Sequence, residues 1–418
     1  MSRAKLLLAL VLLIAIGCAQ VVNVEKIPPI TLGESSFFPT IEAHTDAPIV
    51  AGNKIDILLN GDGTFPTMLA DIKNAKSTIT FMQYFFENGS ITRQFAETFA
   101  ERCRNGVKAH ILLDDHGTSV AEEILTTMRD GGCHVERFRR IEAPALVLWW
   151  KLLRYNYRSH RRIIVIDGKI GFTGGYGISD EWLGDGRADG KWRDTNVRVE
   201  GPVVKFLQSA FAESWLETTG EALGGDGYFP VLERRGNIPA QIVKSSPLGG
   251  SFQNYMLYLL SINSAKTSIL ITNPYFIPDD NMTAALVAAA KRGVRVAVLA
   301  PGKIDSRLTY TASRGHYGPL LTGGVKVFEY QAALMHAKTM VVDGVWATVG
   351  STNFDNRSFA LNQELNLTVY DAGFARQLEK IFEEDLKYSK NITYEDWKSR
   401  SVFEKMTELF AFPIKEQL

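Results

Sequence analysis

The chain predicts an α/β protein made of two duplicated halves, and three observations carry that prediction. Apolar strand-like runs alternate with stretches of helical spacing, as in βαβ units. The order of these elements returns once along the chain, and a polar signature occurs in both copies at a constant offset of 176 residues. With 418 residues, there is room for two such units.

Taken in order, Ser2-Arg3-Ala4-Lys5 is a short basic region followed by twelve apolar or small residues, Leu6 to Gly17, and then Cys18. That run suits a signal-peptide core better than a bilayer span. Gly17 before Cys18 resembles a bacterial lipoprotein processing site with Cys18 as the lipidated residue; a plain cleaved signal and an uncleaved anchor are the alternatives. Residues 1–18 are therefore expected to be a signal and 19–50, with Pro28, Pro29, Pro39 and Pro48, an irregular tether. A first half is expected over 51–220. Lys54 to Leu59 reads as a strand, Phe65 to Ala75 as a helix, Ser77 to Phe86 as a strand, Gln94 to Cys103 as a helix stopped by Asn105-Gly106, and Val107 to Asp114 as a strand. A Gly-rich linker is expected over 221–236, and a second half over 237–418.

The repeat is specific. Ala75-Lys76-Ser-Thr-Ile returns as Ala265-Lys266-Thr-Ser-Ile, and Gly131-Gly132-Cys-His-Val as Gly323-Gly324-Val-Lys-Val. His160, Arg162, Asp167, Gly174, Gly175 and Gly177 fall on His336, Lys338, Asp343, Gly350, Ser351 and Asn353. Arg193-Asp194-Thr-Asn196 matches Gln363-Glu364-Leu-Asn366.

Composition narrows the function. Lys+Arg and Asp+Glu both total 46, so no broad nucleic-acid surface is expected. Three cysteines are too few for a disulfide scaffold or a zinc cluster; Cys103 and Cys133 are either a pair, if the body is exported, or two buried thiols.

In a strand, residues i and i+2 share a face, so His160 stands beside Arg162 and His336 beside Lys338. One His-x-Lys is ordinarily a surface strand; a matched pair suggests two half-sites meeting about a pseudo-twofold axis. One imidazole would attack phosphorus and the other would protonate the leaving alkoxide and then deprotonate the incoming water or alcohol. Arg162 and Lys338 would neutralise the phosphate oxygens, so no metal or other cofactor is called for. Asp194 and Glu364 would each accept a hydrogen bond from an imidazole and fix its tautomer. Ser351, Asn353 and Gly175 are the expected phosphate-binding positions. Asp167 and Asp343 head Asp-Gly turns, so their expected role is structural.

The pattern H-x-K-x4-D followed by G-S-x-N, present twice, resembles the phospholipase D superfamily. Flanking blocks, Thr272 to Asp279, Trp192-Arg-Asp-Thr, Phe211 to Trp215 and Asn353 to Ser358, are similar to bacterial cardiolipin synthases. The resemblance spans about residues 54 to 415. It implies two fused α/β/α sandwich halves with one shared active site, a phosphohistidine intermediate and phosphatidyl transfer, with the N-terminal histidine usually given as nucleophile. The first copy departs from the pattern, with Arg162 for Lys and Gly177 for Asn; Gly177 removes a donor, and an altered first half-site is expected. The implied partner is a membrane phospholipid such as phosphatidylglycerol at a bacterial envelope. Just before His160, residues 145–158 carry Trp149, Trp150, Tyr155 and Tyr157 among cations, either an interfacial segment or a buried amphipathic helix. The alternatives to phosphatidyl transfer are phospholipid hydrolysis, a nuclease and a non-enzymatic membrane tether. Oligomeric state is left open.

Overall fold

The computed structural model describes residues 24, 26–140, 156–246, 252–304, 307–401 and 404. Position 18 and the aromatic segment from 145 to 155 lie outside them.

The first half contributes strands β1 (Val50–Leu59), β2 (Thr78–Gln83), β3 (Lys108–Asp114), β4 (His134–Phe138), β5 (Ile163–Ile166), β6 (Ile170–Gly174) and β7 (Thr195–Glu200). The second contributes β8 (Ile238–Ser245), β9 (Ser268–Thr272), β10 (Arg295–Pro301), β11 (Lys326–Tyr330), β12 (Thr339–Val342), β13 (Trp346–Gly350), β14 (Glu364–Val369) and β15 (Ser389–Ile392). Hydrogen bonding runs continuously in the order β15-β11-β10-β9-β12-β13-β14-β8-β1-β7-β6-β5-β2-β3-β4. Reading outward from the central antiparallel β8–β1 pair, the two halves have the same strand order, with β15 as an added edge.

The strands are near-continuous apolar runs because both faces are covered. Ile163 and Val165 turn into a core shared by the two halves, whereas Ile164 and Ile166 turn into the first half's outer core. Leu270 and Val341 enter the same shared core, and Ile269, Ile271, Met340 and Val342 the second half's outer core. The helices Val204–Thr219 and Ala372–Leu386 add Phe211, Trp215, Phe374 and Phe382 to the shared core. Helices Asn60–Lys73 and Ser90–Arg104 cover the outer face of the first half, and Gln253–Ser264 and Asp280–Lys291 that of the second.

Several local expectations are corrected. Residues expected to be an irregular tether include a helix, Phe37–Thr45, because Phe37 and Ile41 find buried places in the second half's outer core. The helix expected from Phe65 starts at Asn60, and the strand expected from Ser77 through Phe86 is regular only over Thr78–Gln83. The strands expected to contain the signature histidines start three residues after each, at Ile163 and Thr339, so both histidines lie in extended lead-ins. Cys103 and Cys133 form a disulfide, with Cα atoms 5.5 Å apart, tying the end of helix Ser90–Arg104 to the start of β4.

Candidate active site

The signature aspartates do the same job in each half. Asp167, at φ +52°, accepts hydrogen bonds from the backbone N–H groups of Lys76, Ser77 and Thr78; Asp343, at φ +53°, accepts from Lys266, Thr267 and Ser268. The two repeated blocks seen in the sequence therefore hold each other, fastening the β5–β6 turn to β2 and the β12–β13 turn to β9.

Behind those turns the lead-ins cross between halves. The N–H of His160 bonds to the carbonyl of Gln363 at 2.9 Å, and that of His336 to the carbonyl of Arg193 at 2.8 Å. Each histidine is thus docked beside the carboxylate of the other half. His160 Nδ1 lies 3.1 Å from Glu364 Oε1 and 3.1 Å from the Ser351 carbonyl; His336 Nδ1 lies 2.9 Å from Asp194 Oδ2. With Nδ1–H donating, each Nε2 keeps its lone pair and meets the cation of its own signature: Arg162 Nη2 at 3.0 Å from His160, Lys338 Nζ at 3.0 Å from His336. Both cations also bond their own histidine's carbonyl, at 3.0 and 2.8 Å. Arg162 reproduces the lysine's placement despite its planar fork, and its Nε has no hydrogen-bond partner among the described residues.

All six groups are buried. Burial pushes both imidazoles well below the ordinary histidine range, and the cations push them further: Arg162 and Lys338 on His160, Lys338 and Arg162 on His336, where the Asp194 hydrogen bond opposes them. Each histidine feels the cation of both halves, which makes this one site. The carboxylates diverge. Burial pushes Glu364 up to about 7 against the pull of Ser351 and Arg162, whereas Asp194, equally buried, is held below the ordinary range by His336, Lys338 and Trp182.

Ser351, expected at the phosphate, turns its hydroxyl to Glu364 and accepts from the N–H of Leu365 at 3.0 Å. Asn353 is buried with its Oδ1 unpartnered among the described residues, and Gly175 packs against Asp194. Several residues at the site escaped the sequence reading. Tyr84 sets its ring edge-on to His160 with centroids 4.8 Å apart, and Trp182 and Trp192 lie 5.2 and 4.9 Å from His336. The Arg158–Asp114 pair at 2.8 Å anchors the segment entering His160, and Arg193–Asp385 at 2.8 Å ties the Asp194 loop to the second half. Asn60, also at positive φ, accepts from the Asp194 N–H at 3.0 Å. Most of these residues stand alone and far apart in sequence; Trp192 and Arg193 do fall in aligned or flanking blocks, but nothing in the repeat gives them a role, because Arg193 aligns with Gln363.

Two α/β halves that each give a histidine and a cation to one buried centre have the architecture of a phospholipase D-type protein. The chain belongs to the family described as cardiolipin synthase, PLD-like domain, which matches residues 68–215 and 258–386. It is 34% identical over 395 residues to cardiolipin synthase 2 of Staphylococcus epidermidis, covering 94% of this chain and 78% of that protein. It is also 34% identical over 359 residues to the major cardiolipin synthase of Bacillus subtilis, covering 85% and 73%. Among solved structures, phosphatidylserine synthase from Haemophilus influenzae shares the fold at a TM-score of 0.66 and 14% identity, over 92% of this chain and all of that one.

Proposed function

We propose that the chain transfers the phosphatidyl group of one phosphatidylglycerol to the glycerol headgroup of another, forming cardiolipin and releasing glycerol. The observation that carries the reading is the crosswise pair of imidazoles, each held at Nδ1 by the opposite half and each presenting Nε2 beside a cation. The relatives named as cardiolipin synthases supply the substrate class.

His160 is the nucleophile in this reading. Two acceptors, Glu364 and the Ser351 carbonyl, hold its Nδ1–H, and the raised Glu364 lends little stabilisation to an imidazolium there. Its Nε2 attacks phosphorus, the bond from phosphorus to the glycerol oxygen breaks, and His336 gives that oxygen its proton. His336 suits the acid because ionised Asp194 stabilises its charged form. An arriving phosphodiester anion offsets Arg162 and Lys338, the charges that otherwise depress both histidines. The acceptor hydroxyl then surrenders its proton to His336 and attacks phosphorus, freeing His160. Arg162 and Lys338 stabilise the added negative charge of the five-coordinate state.

The substrate places the enzyme at a membrane. No described helix is long and apolar enough to cross one. The Cys103–Cys133 disulfide supports an oxidising compartment and so an exported body, in keeping with the expected signal. Incubating the purified protein with phosphatidylglycerol liposomes and identifying products by mass spectrometry tests the reading. Cardiolipin and glycerol are expected; phosphatidic acid as the main product would make the enzyme a hydrolase, and no lipid turnover would overturn the proposal.

A further inference from the structure

In the second half, the carboxylate Glu364 is fastened by the hydroxyl of Ser351. The aligned residue of the first half is Gly175, and no serine fits there: a Cβ would lie 2.4 Å from Asp194 Oδ1. Asp194, one methylene shorter than glutamate, still needs a donor, because a buried carboxylate left short of hydrogen bonds is costly. The indole of Trp182 supplies one. Its Nε1–H lies 2.9 Å from Asp194 Oδ2, the same oxygen that takes His336 Nδ1–H, while Oδ1 accepts from the N–H of Thr195 at 2.8 Å. Gly177, where the second half has Asn353, makes room for this ring: a Cβ there would lie 2.7 Å from Trp182 Cη2. The indole is 1% exposed, tilted at 45° against Trp192 with centroids 4.1 Å apart, 5.1 Å from Phe85, and meets the His336 ring edge-on at 89°.

We infer that Trp182 is a positioning residue for the acid/base histidine, replacing in the first half the serine that holds the second half's carboxylate, and that Gly177 of the first signature is the space the indole requires, as Gly175 is the space Asp194 requires. The inference rests on the phosphatidyl-transfer reading for its kinetic consequence only. Trp182 acts through Asp194: its N–H fixes the oxygen to which His336 donates and shares that oxygen's charge. The titratable groups facing His336 are Asp194, its own Lys338 and, from the other half, Arg162. Taking the indole N–H away leaves Asp194 a stronger acceptor, so the proton affinity of His336 rises.

Two variants test this in the full chain. Trp182→Phe keeps an aromatic ring and deletes the donor; Gly177→Ala keeps the donor and drives the ring aside. In each, kcat for cardiolipin formation is expected to fall about 10- to 100-fold, the weight of one hydrogen bond to a buried charged group, with KM little changed. Histidine-selective NMR of the same proteins is expected to show the His336 imidazole titrating at higher pH than in the wild type. A folded Trp182→Phe protein with wild-type kcat and His336 titration would overturn the inference. So would a fall in kcat with the titration unmoved, since lost packing alone gives that. The titration reads Trp182 whether or not phosphatidylglycerol is the substrate, so failure of the transfer reading shows separately, as a wild type without lipid turnover.

Discussion

The second half-site fastens a glutamate with a serine hydroxyl and presents a lysine, whereas the first fastens an aspartate with an indole and presents an arginine. Both put an imidazole in the same posture, Nδ1 on a carboxylate and Nε2 at 3.0 Å from a cation. The difference is electrostatic. Glu364 is pushed up to about 7 by burial, while Asp194, with hydrogen bonds from His336, Trp182 and the Thr195 N–H, stays ionised. Because the carboxylates are exchanged between halves, each signature histidine takes its carboxylate partner from the other copy and its nearest cation from its own. The two halves share one geometry with different charges, the separation that the proposed nucleophile and acid/base roles call for.

Asp194→Asn should break the comparison most severely. An amide cannot stabilise an imidazolium, so turnover on phosphatidylglycerol vesicles should fall about 10²- to 10⁴-fold. Glu364→Gln should cost on the order of 10-fold, because the Ser351 carbonyl still holds His160 Nδ1–H. Equal losses would mean that the half-sites are interchangeable.

The two carboxylates should also leave opposite marks on stability. Glu364 has a folded pKa raised above its unfolded value, so its contribution is full below about pH 4 and is lost as pH rises through about 7. Asp194, held low, contributes above its unfolded pKa and loses that only below about pH 4. Between these limits Glu364 alone of the two titrates. Thermal unfolding of Glu364→Gln should therefore lose part of the wild type's decline in Tm from pH 5 to pH 8, and an unchanged decline would count against a raised Glu364.

Arg162→Lys should have the smallest effect, a change in kcat within about 10-fold, since an ammonium on the same lead-in can meet His160 Nε2 as Lys338 meets His336. A dead variant would show that the guanidinium fork has been built into the first half-site beyond its charge.

The duplication, the two histidines, their cations and the two carboxylates were legible in the sequence because the repeat aligns them position by position. The crossing was not. Alignment pairs Asp194 with Glu364, and nothing in either segment says that each serves the other half's histidine; that follows from the lead-ins bonding across, His160 to Gln363 and His336 to Arg193. Ser351 read as a phosphate donor because small polar loops suit anions, but its nearest buried charge is Glu364. Gly177 read as a lost donor. In the fold it is the space for Trp182, and the departure from the repeat was the only sign that a residue elsewhere had taken over. The helix at Phe37–Thr45 was hidden by prolines, one of which, Pro39, sits in its first turn where a missing N–H is tolerated, and which say nothing of the apolar face of Phe37 and Ile41.

The central claim is one centre shared by both halves, with His160 as nucleophile and His336 as acid/base. Phosphatidyl-p-nitrophenol tests it most directly, because its leaving group departs without protonation. The His336→Ala variant should then release one equivalent of p-nitrophenol and stall, with mass spectrometry finding the phosphatidyl group on His160. No burst, an adduct on another residue, or steady turnover in the His160→Ala variant would contradict the account.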